Sequence, residues 1–446
     1  MFESLDRSEV NRAQLKITAL SSGGSFLDGY DISVVSIAIL ELRNQFSLTS
    51  GDSTLLLGST LIGMIFGGII MGYLTDLRGR RSLYLLDMLL FITFTVLSAV
   101  STSFIEVLVF RILLGVAIGA DYAISPTIIA EFSPSRHRGK LLTINGMAWF
   151  LGAASSFAIG AVMTPLGPES WRYMFLIGVI PAAIVLFMRV SIPESPRWLL
   201  ENGRPVEARE SLQKIGVSEF GASSFQAVRT SFRTLFARQY LPATIFMTAF
   251  WFCLDATTYV IGLNGPSILV AFGLTSFAAA RTASMIAFVS IIGAIFTLML
   301  VDRIGRKMVT TIGFAGMVAT LIGAAYSIQY SRSLFLLITF LTVFEIIQEF
   351  GPGITNSVYP QELFPTNIRA TAQGFGTTMS RIGAIMGIFL FSAISQPLGY
   401  AAGMVFLSLV SLIGLVVTVS LGIETKGRSL ENITAPQNLA DDQVPS

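Results

Sequence analysis

The sequence predicts an all-α membrane protein, with twelve transmembrane helices in two pseudo-symmetric six-helix bundles. Three observations predict it. The chain of 446 residues is 53% hydrophobic and only 13% charged, whereas about a quarter of the residues in a soluble protein are charged. Twelve separate apolar runs are long enough to cross a bilayer, which takes about 20 mostly apolar residues. Charged loop motifs also occur twice, in the same order, in the two halves of the chain.

The runs lie at 17–41, 53–75, 82–101, 104–132, 139–164, 171–192, 240–270, 279–301, 308–328, 333–360, 368–395 and 399–423. They divide the chain into an N-terminal tail (1–16), a first bundle (17–192), a linker (193–238), a second bundle (239–424) and a tail expected to be disordered (425–446). The opening residues MFESLDRSEVNRAQLK are polar and mixed in charge, unlike a cleavable signal peptide, so the first span is expected to direct insertion. The linker is charged and is expected to hold short surface helices such as VEARESLQKI. The 40 glycines, as in GGIIMG (67–72) and GVAIG (115–119), suit close packing of membrane helices.

Orientation follows from lysine and arginine. With the N-terminus inside, basic residues fall in the first tail (Arg7, Arg12, Lys16), the 2–3 loop (Arg78, Arg80, Arg81), the 4–5 loop, the long linker and the 8–9 loop (Arg303, Arg306, Lys307). Arg369, Lys426 and Arg428 complete that side, and the opposite loops hold Arg43, Arg172, Arg281 and Arg332. The positive-inside rule puts both termini in the cytoplasm, on a multi-pass protein of the cell membrane.

The stretch from Arg111 to Gly139 organises the reading. It is apolar enough to span a membrane yet carries Arg111, Asp121 and Glu131, then a basic cluster of Arg136, His137, Arg138 and Lys140. Ionisable groups inside hydrocarbon are costly and mark paths for solute or protons. Around it the halves repeat at an offset of about 230 residues: DLRGRR (76–81) with DRIGRK (302–307), Glu131-x-x-Pro134-x-x-x-Arg138 with Glu362-x-x-Pro365-x-x-x-Arg369, and PESPR (193–197) with ETKGR (424–428). Paired repeats of this kind accompany alternating access.

With GYLTDLRGRR, RILLGVAIG, EFSPSRHRGK, PESPRWL, ELFPTNIRA and ETKGRSLE, the chain resembles the major facilitator superfamily, in its branch of sugar porters and metabolite–proton symporters. The resemblance covers almost the whole length. It implies two bundles that rock around a central site, and a cytoplasmic gate of ion pairs among Asp76, Arg80, Glu131, Arg138, Asp302, Arg306, Glu362 and Arg369. The alternative for these charges is that they only set topology.

Asp28 and Asp31 stand three apart on span 1. At ~1.5 Å per residue, Asp31 lies about 15 Å, and Arg111 about 10 Å, below the outer ends of their spans, so the two are able to meet. Such a pair is either a proton switch, in which protonating the acid releases the base, or a purely structural ion pair. The resemblance supports the switch, since sugar porters carry a similar aspartate and arginine. Asp28 either takes part in proton movement or caps a water-filled region.

Asp121 and Tyr122, then Trp251, Asp255 and Tyr259 at four-residue spacing, and Arg381 lie near the middles of spans 4, 7 and 11. Glu345 and Glu349 on span 10 are also mid-depth, and one of them is expected to neutralise Arg381.

The substrate stays open between two readings. GADYAISPTIIAEFSP and the Trp251, Asp255, Tyr259 spacing resemble phosphate–proton symporters, which implies Tyr122, Trp251, Asp255 and Tyr259 at the substrate, Asp31 and Asp121 in the proton path, and Arg381 where that family has a lysine. Trp149 and Gly353 depart from that family's glutamine and asparagine. LDGYD with SRIGAI (380–385) resembles carboxylate–proton symporters, whereas the ETKGR ending and the Asp31/Arg111 pair resemble sugar porters. A small anion, phosphate or carboxylate, ranks first, and a sugar second.

One cysteine excludes an internal disulfide, and one histidine leaves no zinc cluster. No nucleophile–base set or phosphate-binding loop points to an enzyme. The expected partners are a small-molecule substrate, protons and the lipid bilayer, with no nucleic acid. No cofactor is expected beyond the proton gradient as energy source, and one chain already forms a complete two-bundle transporter that works as a monomer. A non-transporting sensor on the same scaffold is the remote alternative.

Overall fold

The computed structural model describes residues 5–6, 8–163, 166–217 and 231–427. Its helices are α1 (Arg12–Phe46), α2 (Ser50–Arg78), α3 (Arg80–Val100), α4 (Phe104–Phe132), α5 (Arg138–Met163) and α6 (Ser170–Arg189) in the first half. The linker contributes α7 (Pro196–Glu201) and α8 (Pro205–Lys214). The second half follows with α9 (Leu241–Ala271), α10 (Ser276–Ile304), α11 (Arg306–Tyr326), α12 (Leu334–Phe350), α13 (Pro352–Leu363), α14 (Arg369–Leu398) and α15 (Tyr400–Leu421). The disordered tail expected beyond Lys426, with Arg428, lies outside the described residues but for Gly427.

Eleven segments among the described residues are long and apolar enough to cross a membrane. The twelfth helix is α1, whose 35 residues exceed the needed length. Its mean hydropathy is held down by Ser21, Ser22, Ser25, Asp28 and Asp31, all buried by the protein itself. Fully buried polar faces are tolerated at membrane depth only when turned into protein.

Span 10, expected over 333–360, holds as one membrane-length segment, Leu334–Leu363, but its helix is interrupted. Helix α12 stops at Phe350 and α13 begins at Pro352. Pro352 has no N–H to continue the ladder, and a methyl group on Gly351 would fall 2.6 Å from Gly313 Cα of α11. Close backbone approach and a missing donor together make the break.

The chain forms two compact units. The first comprises Met1–Thr244, Ser357–Thr378 and Thr425–Ser446, and the second Ile245–Asn356 and Met379–Glu424. In the first, α1 packs on α5 and α2 on α4. A methyl group on Gly29 would fall 1.9 Å from the Trp149 carbonyl oxygen, so only glycine permits the α1–α5 crossing. One core gathers Tyr30, Val34, Leu42, Leu56, Trp171 and Phe175. Another joins Ile17, Tyr84 and Phe132 to Trp198, Leu199 and Leu212 of the linker. The linker helices expected at the surface therefore bury their apolar faces. In the second unit, α12 packs on α10 and α11, and α11 on α15.

Candidate functional site

At the end of α2, Gly79 takes φ +100°, which lets α3 start at once. Arg80, now at the head of α3, turns back to Asp76 at 3.0 Å. It also forks onto Glu131, with Nε donating at 3.1 Å and Nη2 at 3.0 Å. Arg369 donates to the same carboxylate at 2.9 Å. Asp76 accepts the backbone N–H of Thr371 at 2.7 Å and of Ala370 at 3.3 Å, so a carboxylate sits on the N-terminus of α14, where the helix dipole favours negative charge. These groups are buried, and the bidentate geometry is that of the strongest ion pairs. Arg138 and Arg197 both reach Asp6 at 3.3 Å.

The duplication holds at atomic level. Asp302 pairs with Arg306 at 2.9 Å across Gly305, at φ +95°. Glu194 accepts the N–H groups of Arg80 and Arg81 at 2.9 and 3.1 Å. Glu424 accepts those of Arg306 and Lys307 at 3.0 and 3.1 Å. The motifs PESPR and ETKGR thus each supply the carboxylate that caps the third helix of their own half. Thr425 donates to Glu362. Glu194, Glu424 and Asp6 were not assigned roles from the sequence; acids beside a helix start that lacks a side-chain cap were the available signal.

On the linker, Glu201 lies within electrostatic range of Arg80, Arg369 and Glu131, and burial pushes its carboxyl up to about 7. Burial draws Arg197 down to about 10, so it stays charged at neutral pH.

Asp31 and Arg111 meet, as their helical depths allowed. Arg111 Nη1 donates to Asp31 Oδ1 at 3.0 Å, and Nη2 lies 2.9 Å from Oδ2. Nη2 also donates to the Asp31 carbonyl and to Thr60, and the guanidinium stands 5.2 Å from the Phe175 ring. The pair is fully enclosed.

Asp121 finds a partner that sequence reasoning missed. Arg189, in the last turn of α6, donates to Asp121 at 2.6 Å and to Asp87 at 3.1 Å, and lies 3.6 Å above the Tyr84 ring. Ser125 donates to Asp121 at 2.9 Å. An aspartate inside the apolar run LYLLDMLLF and an arginine closing span 6 were the readable signals. Asp28 is buried beside this cluster, and its Oδ2 accepts no hydrogen bond. Tyr122 is half-buried on α4. Trp149, also half-buried, keeps an indole N–H that is enclosed without an acceptor.

In the second unit, Arg381 of α14 pairs with Asp255 of α9 at 2.8 Å and donates to the Tyr259 hydroxyl at 2.5 Å. Trp251, one turn away from Asp255 on α9, is buried. Asp255, rather than Glu345 or Glu349, is the hydrogen-bonded anion for Arg381, which corrects the sequence expectation. The reason is reach: Asp255 and Tyr259 are one turn apart on α9 and both face α14. Glu345 and Glu349 instead share Gln348, whose amide donates to both.

Ion pairs buried within helices of membrane-spanning length, and caps repeated in the two halves, mark a membrane protein built on a repeat. The chain belongs to the family described as "Sugar (and other) transporter", which matches residues 16–436. Two proteins of Escherichia coli (strain K12) are similar over most of their length. YaaU is 32% identical over 433 residues, covering 96% of each chain. The inner membrane metabolite transport protein YgcS is 31% identical over 430 residues, covering 96% of this chain and 95% of that one. Among solved structures, the proton:xylose symporter XylE from E. coli matches with a TM-score of 0.82 at 22% identity, covering 94% of this chain and 98% of that one. That likeness shows the fold, the major facilitator fold of twelve helices.

Proposed function

We propose that this chain carries a small polar metabolite together with protons across the cell membrane by alternating access, with both termini in the cytoplasm. The observation that carries this reading is the enclosed Asp31–Arg111 pair. Ionised, the two charges compensate each other. A proton on Asp31 leaves Arg111 uncompensated, and breaking a buried pair in this way costs about 3–5 kcal/mol. That is comparable to the ~5.5 kcal/mol needed to swing a two-state equilibrium from one side to the other. The proton gradient is then the energy source, no cofactor takes part, and the chain does transport rather than catalysis.

For the substrate, the geometry of the second unit favours an uncharged hydroxylated molecule of the sugar class. Arg381 is already matched by Asp255 and Tyr259, and Glu345 and Glu349 add negative charge nearby. An anion would meet more acids than bases there. This reverses the order that the helix 4 and helix 7 resemblances suggest. The anionic reading keeps one specific support: protonating Asp255 would release the Arg381 guanidinium for phosphate or a carboxylate. XylE, which shares the fold, is a proton:xylose symporter.

The test is uptake by purified protein in liposomes under an imposed inward proton gradient. Labelled hexoses, pentoses, phosphate and small carboxylates would be compared, with Asp31→Asn as control. Sugar accumulation that collapses with a protonophore and in Asp31→Asn is the expected result. Gradient-driven phosphate or carboxylate uptake without sugar uptake would restore the anionic reading, and uptake indifferent to the gradient would overturn proton coupling.

A further inference from the structure

Helix α12 carries two acids that the Asp31–Arg111 switch does not use. Gln348 Nε2 donates to Glu345 at 3.1 Å and also to Glu349. Glu349 is 2% exposed and Gln348 5%. The remaining oxygen of Glu349, Oε2, is buried and accepts no hydrogen bond. Ionised, it would be an anionic acceptor with no donor, which is among the costliest arrangements a protein interior can hold.

Among the described residues, no cation compensates the pair. The helices packed on α12 carry ionisable side chains only near their ends: Arg281, Asp302 and Arg303 on α10, and Arg306, Lys307 and Tyr326 on α11. From α9, Asp255 faces Glu349 and adds negative potential. Arg381 on α14 is bound to Asp255 and Tyr259. Thr297 of α10 donates only to backbone carbonyls here, among them that of Glu349 at 3.1 Å.

The helix end works in the same direction. Because α12 stops at Phe350 and residue 352 is proline, the Gln348 carbonyl has no N–H from position 352 to bind. The negative end of a helix disfavours a carboxylate. The chain also approaches the acid closely just past the break: a methyl group on Gly353 would fall 2.9 Å from Glu349 Oε1. A shift at the α12–α13 break must therefore change the surroundings of this carboxyl.

We propose that Glu345 and Glu349, tied by Gln348, form a second proton-binding site in the C-terminal half. They hold one proton between them in this conformation and exchange it as the α12–α13 break moves. Two carboxylates sharing a proton in low dielectric titrate as a pair. The break gives the proton a mechanical partner. The proposal rests on the proton-coupled reading above, but its test does not depend on transport.

The experiment is infrared difference spectroscopy of the purified full chain in nanodiscs as pH is raised, read at the C=O stretch of protonated carboxylic acids. The expected result is a titrating band that Glu349→Gln removes and Glu345→Gln shifts, while it persists in Asp31→Asn. Gln348→Leu, which cuts the bridge without touching either acid, should move its midpoint. A wild-type spectrum with no such band, or a band unchanged in both glutamine variants, would overturn the proposal. If uptake is proton-driven, Glu349→Gln should also lower the ratio of protons to substrate; an unchanged ratio would remove the site from the cycle. A failure of all uptake with the infrared band intact would instead count against the transport reading alone.

Discussion

Gly24 and Arg189 are in direct contact: a methyl group on Gly24 would fall 2.1 Å from Arg189 Nη2 and 2.4 Å from Asp121 Oδ2. The side chain missing from α1 makes room for an ion pair formed between α4 and α6. Gly24→Ala should therefore displace Arg189 from Asp121, at a cost of about 1–3 kcal/mol for overpacking a close contact. Thermal unfolding of the purified protein would show it. An unchanged midpoint would mean that α1 has slack here.

Glu131 serves Arg80 and Arg369 at once. Glu131→Gln leaves Arg80 with Asp76 but removes the anion of Arg369. Breaking a buried pair costs about 3–5 kcal/mol. Amide hydrogen exchange at the start of α14 should rise well above that of the rest of the chain. Uniform exchange would show that the network does not hold that end shut.

The duplicated caps make a matched pair of tests. Glu194→Ala and Glu424→Ala each remove a carboxylate from two backbone N–H groups. Each should lower stability by about 1 kcal/mol, as loss of a helix cap does. The double variant should show the sum, because the two sites share no partner. Urea titration of the unfolding midpoint checks both.

Glu201 predicts a pH dependence. Its carboxyl is raised by burial from 4.5 to about 7. Between those values the folded state binds more protons than the unfolded state, so stability falls as pH rises through that window. The penalty is absent below about pH 4.5 and complete above about pH 7. Glu201→Gln should flatten this contribution, seen as a smaller drop in the unfolding midpoint from acid to neutral pH. Parallel curves for the two proteins would refute it.

The sequence determined the spans, because an apolar run of membrane length has no stable place outside lipid or a core. It determined the duplication too, since DLRGRR with DRIGRK and PESPR with ETKGR can be matched by eye. It also put Asp31 and Arg111 within reach of each other, because helical rise converts sequence position into depth. It could not decide which partner a buried charge takes when several lie at one depth. Depth is one coordinate, and the rotation and crossing of helices supply the others. Arg381 found Asp255 rather than a glutamate for that reason, and Asp121 found Arg189. The break of span 10 was written in Gly351-Pro352, but proline is tolerated inside α4 at Pro126. Only the close approach of Gly313 turned it into an end. Chain-local chemistry was legible in the residues; the pairing of charges belonged to the packing, where electrostatic energy depends on distances that no linear spacing fixes.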